Sequence, residues 1–192
     1  MKKFCYILRV LTVAPIIAAI TFCILRFVSP EIMGGNLNFI ISLLCITVLP
    51  LLAYPLQPIM PKFKGRGRDG QRNLAIIMSV IGYIVGIICA FALNMPAKMT
   101  VLLITYFISG ILIFLFNKAF KVKASGHACG VAGPIAYLTY VYGPIALLGI
   151  PLLGIVAWSS IYMGRHKWTE LVVGGSISVA SLFISIIIVN FL

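Results

Sequence analysis

Runs of about twenty apolar residues follow one another from end to end of this chain, and short polar turns separate them. Each run is long enough to cross a hydrocarbon core of about 30 Å as a helix. Backbone polar groups in lipid must be satisfied within a helix or a closed barrel, and no alternating strand pattern is present. The sequence therefore predicts an all-α, polytopic helical membrane protein, with residues 1–192 as a single integral membrane domain.

We expect six to seven transmembrane helices. Pro50 and Pro55 are expected to kink the second one or end it early, because proline removes a helix hydrogen bond. A first helix that lies in the interface, instead of crossing it, would leave six. The predicted spans are approximately residues 6–28, 37–57, 73–93, 99–117, 125–142, 145–163 and 171–191.

Charge is concentrated in the turns between the runs, and Arg9 and Arg26 lie near the ends of the first predicted span, from where long side chains can reach the interface. Only 9% of residues are charged, yet the formal net charge is +12. Basic caps of this kind are typical of membrane proteins under the positive-inside rule, so we do not expect nucleic acid as a partner. With seven spans, every lysine and arginine except Arg26 and Lys98 falls on one side. We expect that side to face the cytoplasm and the membrane to be the plasma membrane. If the lysines and arginines of the loops that could form an anion site are left out, the numbers of basic residues on the two sides are nearly equal.

Cofactors are not indicated. The five cysteines show no Cys-x-x-Cys spacing, and four lie inside apolar runs, so they are expected to be buried apolar side chains. Tryptophans and tyrosines fit interfacial belts. We predict no metal site and no bound cofactor.

The two histidines, His127 and His166, are expected at the same face of the membrane, each beside a helix start. A single histidine at such a boundary more often packs against lipid headgroups. Here His166 has Glu170 four residues later, on the same side of a helix that begins there. A carboxylate held against one imidazole nitrogen leaves the other free to attack or to abstract a proton. Nearby cations and helix amides would neutralise a phosphoryl group.

Three segments carry a family resemblance: Lys123-Ala-Ser-Gly-His127, Gly164-Arg-His-Lys-Trp-Thr-Glu170 and Gly174-Gly175. Together they resemble the type-2 phosphatidic acid phosphatase superfamily, over roughly residues 118–175. In that family a Pro-Ser-Gly-His motif supplies a proton donor. A later motif, Ser-Arg, five residues, His, three residues, Asp, supplies a nucleophile that becomes phosphohistidine and the acid that orients it.

The resemblance implies a phosphatidic-acid-phosphatase-like helical bundle and a metal-independent phosphatase that acts on a membrane lipid. His127 would be the general acid, His166 the nucleophile and Glu170 its orienting carboxylate. Ser125 and the Gly126 amide would contact phosphate.

This chain departs from the family pattern where phosphate is bound. Ser160 stands six residues before His166, where the family has an arginine, and Arg165 is a possible substitute. The family's first basic motif has no clean copy. Smaller changes are Ala124 for proline and Glu170 for aspartate. The remaining candidates for binding phosphate are Lys123, Arg72 and Arg68.

Two other functions fit the same residues. A protein that binds or transports an anionic lipid would use the cations without hydrolysis. A b-type haem protein would use His127 and His166 as axial ligands, but it would give Glu170 and the lysines no role.

Overall fold

A computed structural model describes residues 1–120 and 122–192; the side chain of Arg68 also lies outside the described part. All regular secondary structure in these residues is helical, which confirms the predicted all-α class. The α-helices are α1 (Lys2–Leu11), α2 (Ala14–Val28), α3 (Pro30–Met33), α4 (Asn36–Leu43), α5 (Leu49–Leu56), α6 (Gly67–Ala92), α7 (Ala97–Lys118), α8 (Gly126–Tyr142), α9 (Ile150–Tyr162) and α10 (Trp168–Asn190). A π-helical turn (Leu44–Val48) joins α4 to α5, and a 3₁₀ segment (Gly143–Gly149) joins α8 to α9.

Five helical segments of the described chain are long and apolar enough to cross a membrane, and the bent pair α1–α2 would make a sixth. The five are Asn36–Leu56, Asp69–Ala92, Ala97–Lys118, Gly126–Tyr162 and Trp168–Asn190. The fourth is folded back on itself, because Val131 clusters with Val156 and Ile135 lies against Gly149. Its two arms correspond to the predicted spans 125–142 and 145–163.

Prolines account for the two main differences from the predicted spans. The span expected over 6–28 is not one continuous helix: α1 and α2 are separated by a break and bent by 51°, although together they are long and apolar enough to cross a membrane. Pro15 lies in the first turn of α2 and has no N–H to continue α1. In the second span Pro50 cannot donate to the carbonyl of Ile46. The helix continues through this point by widening into the π turn.

The centre of the bundle is α10, which packs against α7 and α8. Three buried serines on α10 donate to carbonyls of their own helix, which leaves small surfaces for neighbouring helices to approach. One of them, Ser178, faces Gly133 of α8. The largest buried side chains of the main core include Phe22, Leu25, Met33, Met99, Leu103 and Tyr137.

The outward faces of the helices are apolar. On α6, for example, Ile77, Ile84, Ile88 and Phe91 are each 44% exposed or more. A soluble protein rarely exposes contiguous apolar surface on this scale, whereas lipid tails solvate it. The polar loops that precede α6, α8 and α10 lie at one end of the bundle, because α6 and α7 are antiparallel and α8, α9 and α10 follow in alternation. The candidate site lies at this end.

Candidate functional site

The starts of α8 and α10 are fixed against each other by the backbone. Ser125 caps α8, and its fully buried hydroxyl accepts a hydrogen bond of 3.3 Å from the N–H of Ala128. The N–H of Ser125 donates to the carbonyl of Glu170, in the first turn of α10, at 2.9 Å. Gly174 makes this approach possible, because a Cβ there would overlap the Ser125 carbonyl. The two histidines therefore lie at neighbouring helix starts.

His166 and Glu170 form the predicted pair. Nδ1 of His166 lies 2.8 Å from Oε2 of Glu170, and their side chains are 18% and 13% exposed. The same oxygen accepts the N–H of Lys167 at 3.3 Å, which completes a capping interaction for α10. Lys123, 60% exposed, places Nζ 3.4 Å from Oε2 and also donates to the Arg165 carbonyl. A carboxylate only accepts, so Nδ1 carries the proton and Nε2 has the free lone pair.

The surroundings keep His166 neutral. Burial lowers the pKa of its imidazole, and the positive charges of Lys123 and Arg9 lower it further. The hydrogen bond and charge of Glu170 act in the opposite direction without reversing the shift. At neutral pH, Nε2 is therefore unprotonated and able to act as a nucleophile or base.

His127 is held by a residue that the sequence did not single out. Its Nε2 lies 2.9 Å from Oγ1 of Thr12, at the end of α1. The Thr12 hydroxyl also donates to the carbonyl of Leu8 at 2.7 Å. A hydroxyl has one proton, so it accepts the hydrogen bond from His127. The proton of His127 is thus on Nε2. Arg9 and His166 are near enough to His127 to interact with it electrostatically.

Arg9 is the second residue that was missed. Its Nη1 donates to Oγ of Ser160 at 2.6 Å, across 151 positions of sequence. Ser160 is fully buried, and its hydroxyl donates to the carbonyl of Val156. From the sequence, Arg9 was expected only to reach the interface from a helix end. The available signal was an arginine inside an apolar run, together with a serine at the position where the family has an arginine.

The other predicted phosphate contacts differ in their exposure and in whether they lie beside the histidines. Gly126 is exposed and has open space at its α-carbon, so the backbone amides at the start of α8 are accessible. Arg165 is half-buried beside His166 and contributes its backbone, which donates to Ser160. Arg72 is exposed on α6, and among the described residues no hydrogen bond or ion pair joins it to the histidines. Arg68 was predicted as well, but its side chain lies outside the described part.

An apolar groove begins beside the site. It has a volume of about 660 Å³ and runs between α8, α9 and α10. Its lining includes Ala128, adjacent to His127, and Leu171, adjacent to Glu170. Trp168 and Phe183, both more than 60% exposed, line the groove at two points along α10, at its first residue and fifteen residues later. The groove is therefore open to the side, towards lipid.

No three His, Cys, Asp or Glu side chains of the described chain come together as a possible metal-binding group. No family model, curated protein or solved structure matches the chain significantly. The described chain is thus an all-helical bundle that brings two histidines, Glu170 and several cations together at one end.

Proposed function

We propose that this protein is a membrane phosphatase that hydrolyses a phosphomonoester or diphosphate lipid through a phosphohistidine intermediate. The observation that carries the proposal is the contact of 2.8 Å between His166 Nδ1 and Glu170, with His127 and the start of α8 beside it. This is the arrangement that a nucleophilic imidazole requires. The resemblance to type-2 phosphatidic acid phosphatases, including their bundle of helices, is part of the same proposal.

In the first step Nε2 of His166 attacks phosphorus, and the bond from phosphorus to the leaving oxygen breaks. His127, protonated on both ring nitrogens once the phosphate dianion lies beside it, donates the Nε2 proton, which Thr12 holds in the absence of substrate, to that oxygen and becomes neutral. Glu170 stabilises the positive charge that forms on His166. In the second step water attacks phosphorus and gives a proton to His127, the phosphorus–nitrogen bond breaks, and inorganic phosphate leaves. The amides at the start of α8 and the nearby cations stabilise the phosphoryl oxygens.

The groove supports a lipid substrate over a soluble one. Trp168 and Phe183 are fifteen positions apart, a distance of roughly 22 Å at about 1.5 Å per helical residue. One leaflet of a hydrocarbon core is roughly 15 Å thick, half of about 30 Å. The groove is therefore long enough for one lipid chain whose phosphate lies at the histidines.

The test is phosphate release by purified protein in the presence of a metal chelator, from phosphatidic acid and from a polyprenyl diphosphate. We expect release by the wild type, loss of activity in His166→Ala and His127→Ala, and an acid-labile phosphoryl label on His166 after rapid quenching. Arg26→Gln is a suitable control, because Arg26 contacts Asn36 at the opposite end of the bundle.

Hydrolysis that persists in His166→Ala would refute the mechanism. Binding of these lipids without hydrolysis by the wild type would favour a protein that binds or transports anionic lipid. Absorption by a bound haem would favour the third interpretation of the two histidines.

A further inference from the structure

Helix α1 turns one stripe of side chains towards the site. Cys5, Arg9 and Thr12 recur at the spacing that places residues on one helix face. Cys5 is fully buried and Thr12 is 5% exposed, so Arg9, between them, lies on the inward face. The opposite face is exposed and largely apolar: Phe4, Tyr6, Ile7, Val10 and Leu11. This helix packs against α9, beside Ser160. A cation on an inward face is uncommon and indicates a specific role.

The guanidinium of Arg9 contacts the residue at the position where the family motif has an arginine. Its Nη1 is 2.6 Å from the hydroxyl of Ser160, the residue that stands where the related motif has an arginine. Serine is small, and this leaves room for a guanidinium that arrives from another helix. The same group acts electrostatically on both His127 and His166, so it lies near both imidazoles.

The charges at the site favour an anion. The chain has three acidic residues. Glu31 lies in α3, at the far end of the bundle, and Asp69 lies in the first turn of α6. Of the three, Glu170 is the one with a described contact at the site, where it lies against Lys123 and His166, and Arg9 acts electrostatically on both imidazoles. Bringing a phosphate dianion between these groups relieves the repulsion among them, and guanidinium binds phosphate oxygens in a bidentate fashion.

We propose that Arg9 binds the phosphoryl group of the substrate, in the place of the arginine that the family motif puts at position 160. This inference rests on the proposed function and adds to it a substrate-binding residue from the first helix. It makes α1 a wall of the active site. It also accounts for the absence of an arginine at position 160.

Two measurements test this role. The first is phosphate release by Arg9→Gln, Arg9→Lys and the exchanged pair Arg9→Ser with Ser160→Arg. We expect a loss of roughly 100-fold for Arg9→Gln, the size observed when one donor to a transition-state oxygen is removed. Arg9→Lys should keep part of the activity, because its charge remains without the planar fork. The exchanged pair should be at least tenfold more active than Arg9→Ser alone, and Arg26→Gln should match the wild type.

The second measurement uses inorganic phosphate as a probe and needs no turnover. In a His166→Ala background, phosphate should raise the midpoint of thermal unfolding, and the added change Arg9→Gln should remove most of that rise. The midpoints without phosphate report whether each variant is folded.

The outcomes separate the two proposals. If Arg9→Gln hydrolyses lipid at the wild-type rate while His166→Ala does not, the role of Arg9 is overturned and the phosphatase stands. If the wild type hydrolyses nothing but phosphate still stabilises the protein through Arg9, the phosphatase fails and the anion site stands. A rise that is equal with and without Arg9, or absent from both, overturns the assignment of Arg9.

Discussion

Replacing Glu170 by glutamine tests the electrostatic core of the proposed mechanism. At 2.8 Å from Nδ1 of His166, a full charge on each group gives an attraction of about 6 kcal/mol at an effective dielectric constant of about 20. If roughly half of the imidazole charge has developed in the transition state, Glu170→Gln loses about 3 kcal/mol, which is a decrease of roughly 100-fold in kcat. The side chains are 18% and 13% exposed, and an effective dielectric constant of about 20 is the value used for pairs near a protein surface.

The assay is steady-state phosphate release as a function of pH. Because Glu170 contacts the histidine and not the substrate, KM should change much less than kcat. Glu170 raises the pKa of His166 relative to burial alone, so its removal should also move the acid limb of kcat/KM to lower pH. Loss of the helix cap alone would lower stability without moving that limb.

Two variants calibrate the result. Glu31→Gln makes the same chemical change at the far end of the bundle and should leave kcat unchanged. Glu170→Asp keeps the charge but shortens the arm, so we expect an intermediate loss of roughly tenfold. A Glu170→Gln enzyme with kcat within threefold of the wild type, or with an unmoved acid limb, would refute the reasoning.

Three further predictions concern the same end of the molecule. Since the pKa of His166 is lowered and its neutral form is required, kcat/KM should fall with decreasing pH only below the ordinary histidine value of about 6.5; an inflection above that value would contradict this. Gly174→Ala should destabilise the protein by about 1–3 kcal/mol through backbone overlap, seen as a lower unfolding midpoint, whereas Gly154→Ala, in open space, should not. Thr12→Val should leave the His127 N–H without its partner and destabilise the protein by about 1–3 kcal/mol, with Thr12→Ser keeping the wild-type midpoint.

Hydropathy predicted the helices well because lipid imposes their length. The run expected over 99–117 is α7 (Ala97–Lys118), and that expected over 171–191 is α10 (Trp168–Asn190). Hydropathy does not mark where a helix continues in water, and α6 begins at Gly67, in the basic loop, instead of near residue 73. It also does not mark a break inside an apolar run, which at residues 12–13 depends on one proline.

The site was predictable where its contacts are local in sequence. His166 and Glu170 are four residues apart at a helix start, so helix geometry alone brings them together. The contacts of Arg9 with Ser160 and of Thr12 with His127 depend on the break between α1 and α2, which lets α1 pack against α9. No spacing rule reaches across 151 positions, so the contact of Arg9 with Ser160 could only be found in three dimensions.

The carboxylate of Glu170 has two tasks at once, since it accepts Nδ1–H of His166 and the N–H of Lys167 that caps α10. Natural selection for a stable helix would therefore retain an acid at this position in a descendant that lacked the proposed catalysis. His166 has no such structural task among its described contacts, so it would be free to change. In a comparison of relatives, the acid would be a poor marker of an active enzyme, and the histidine two residues before α10 would be a good one.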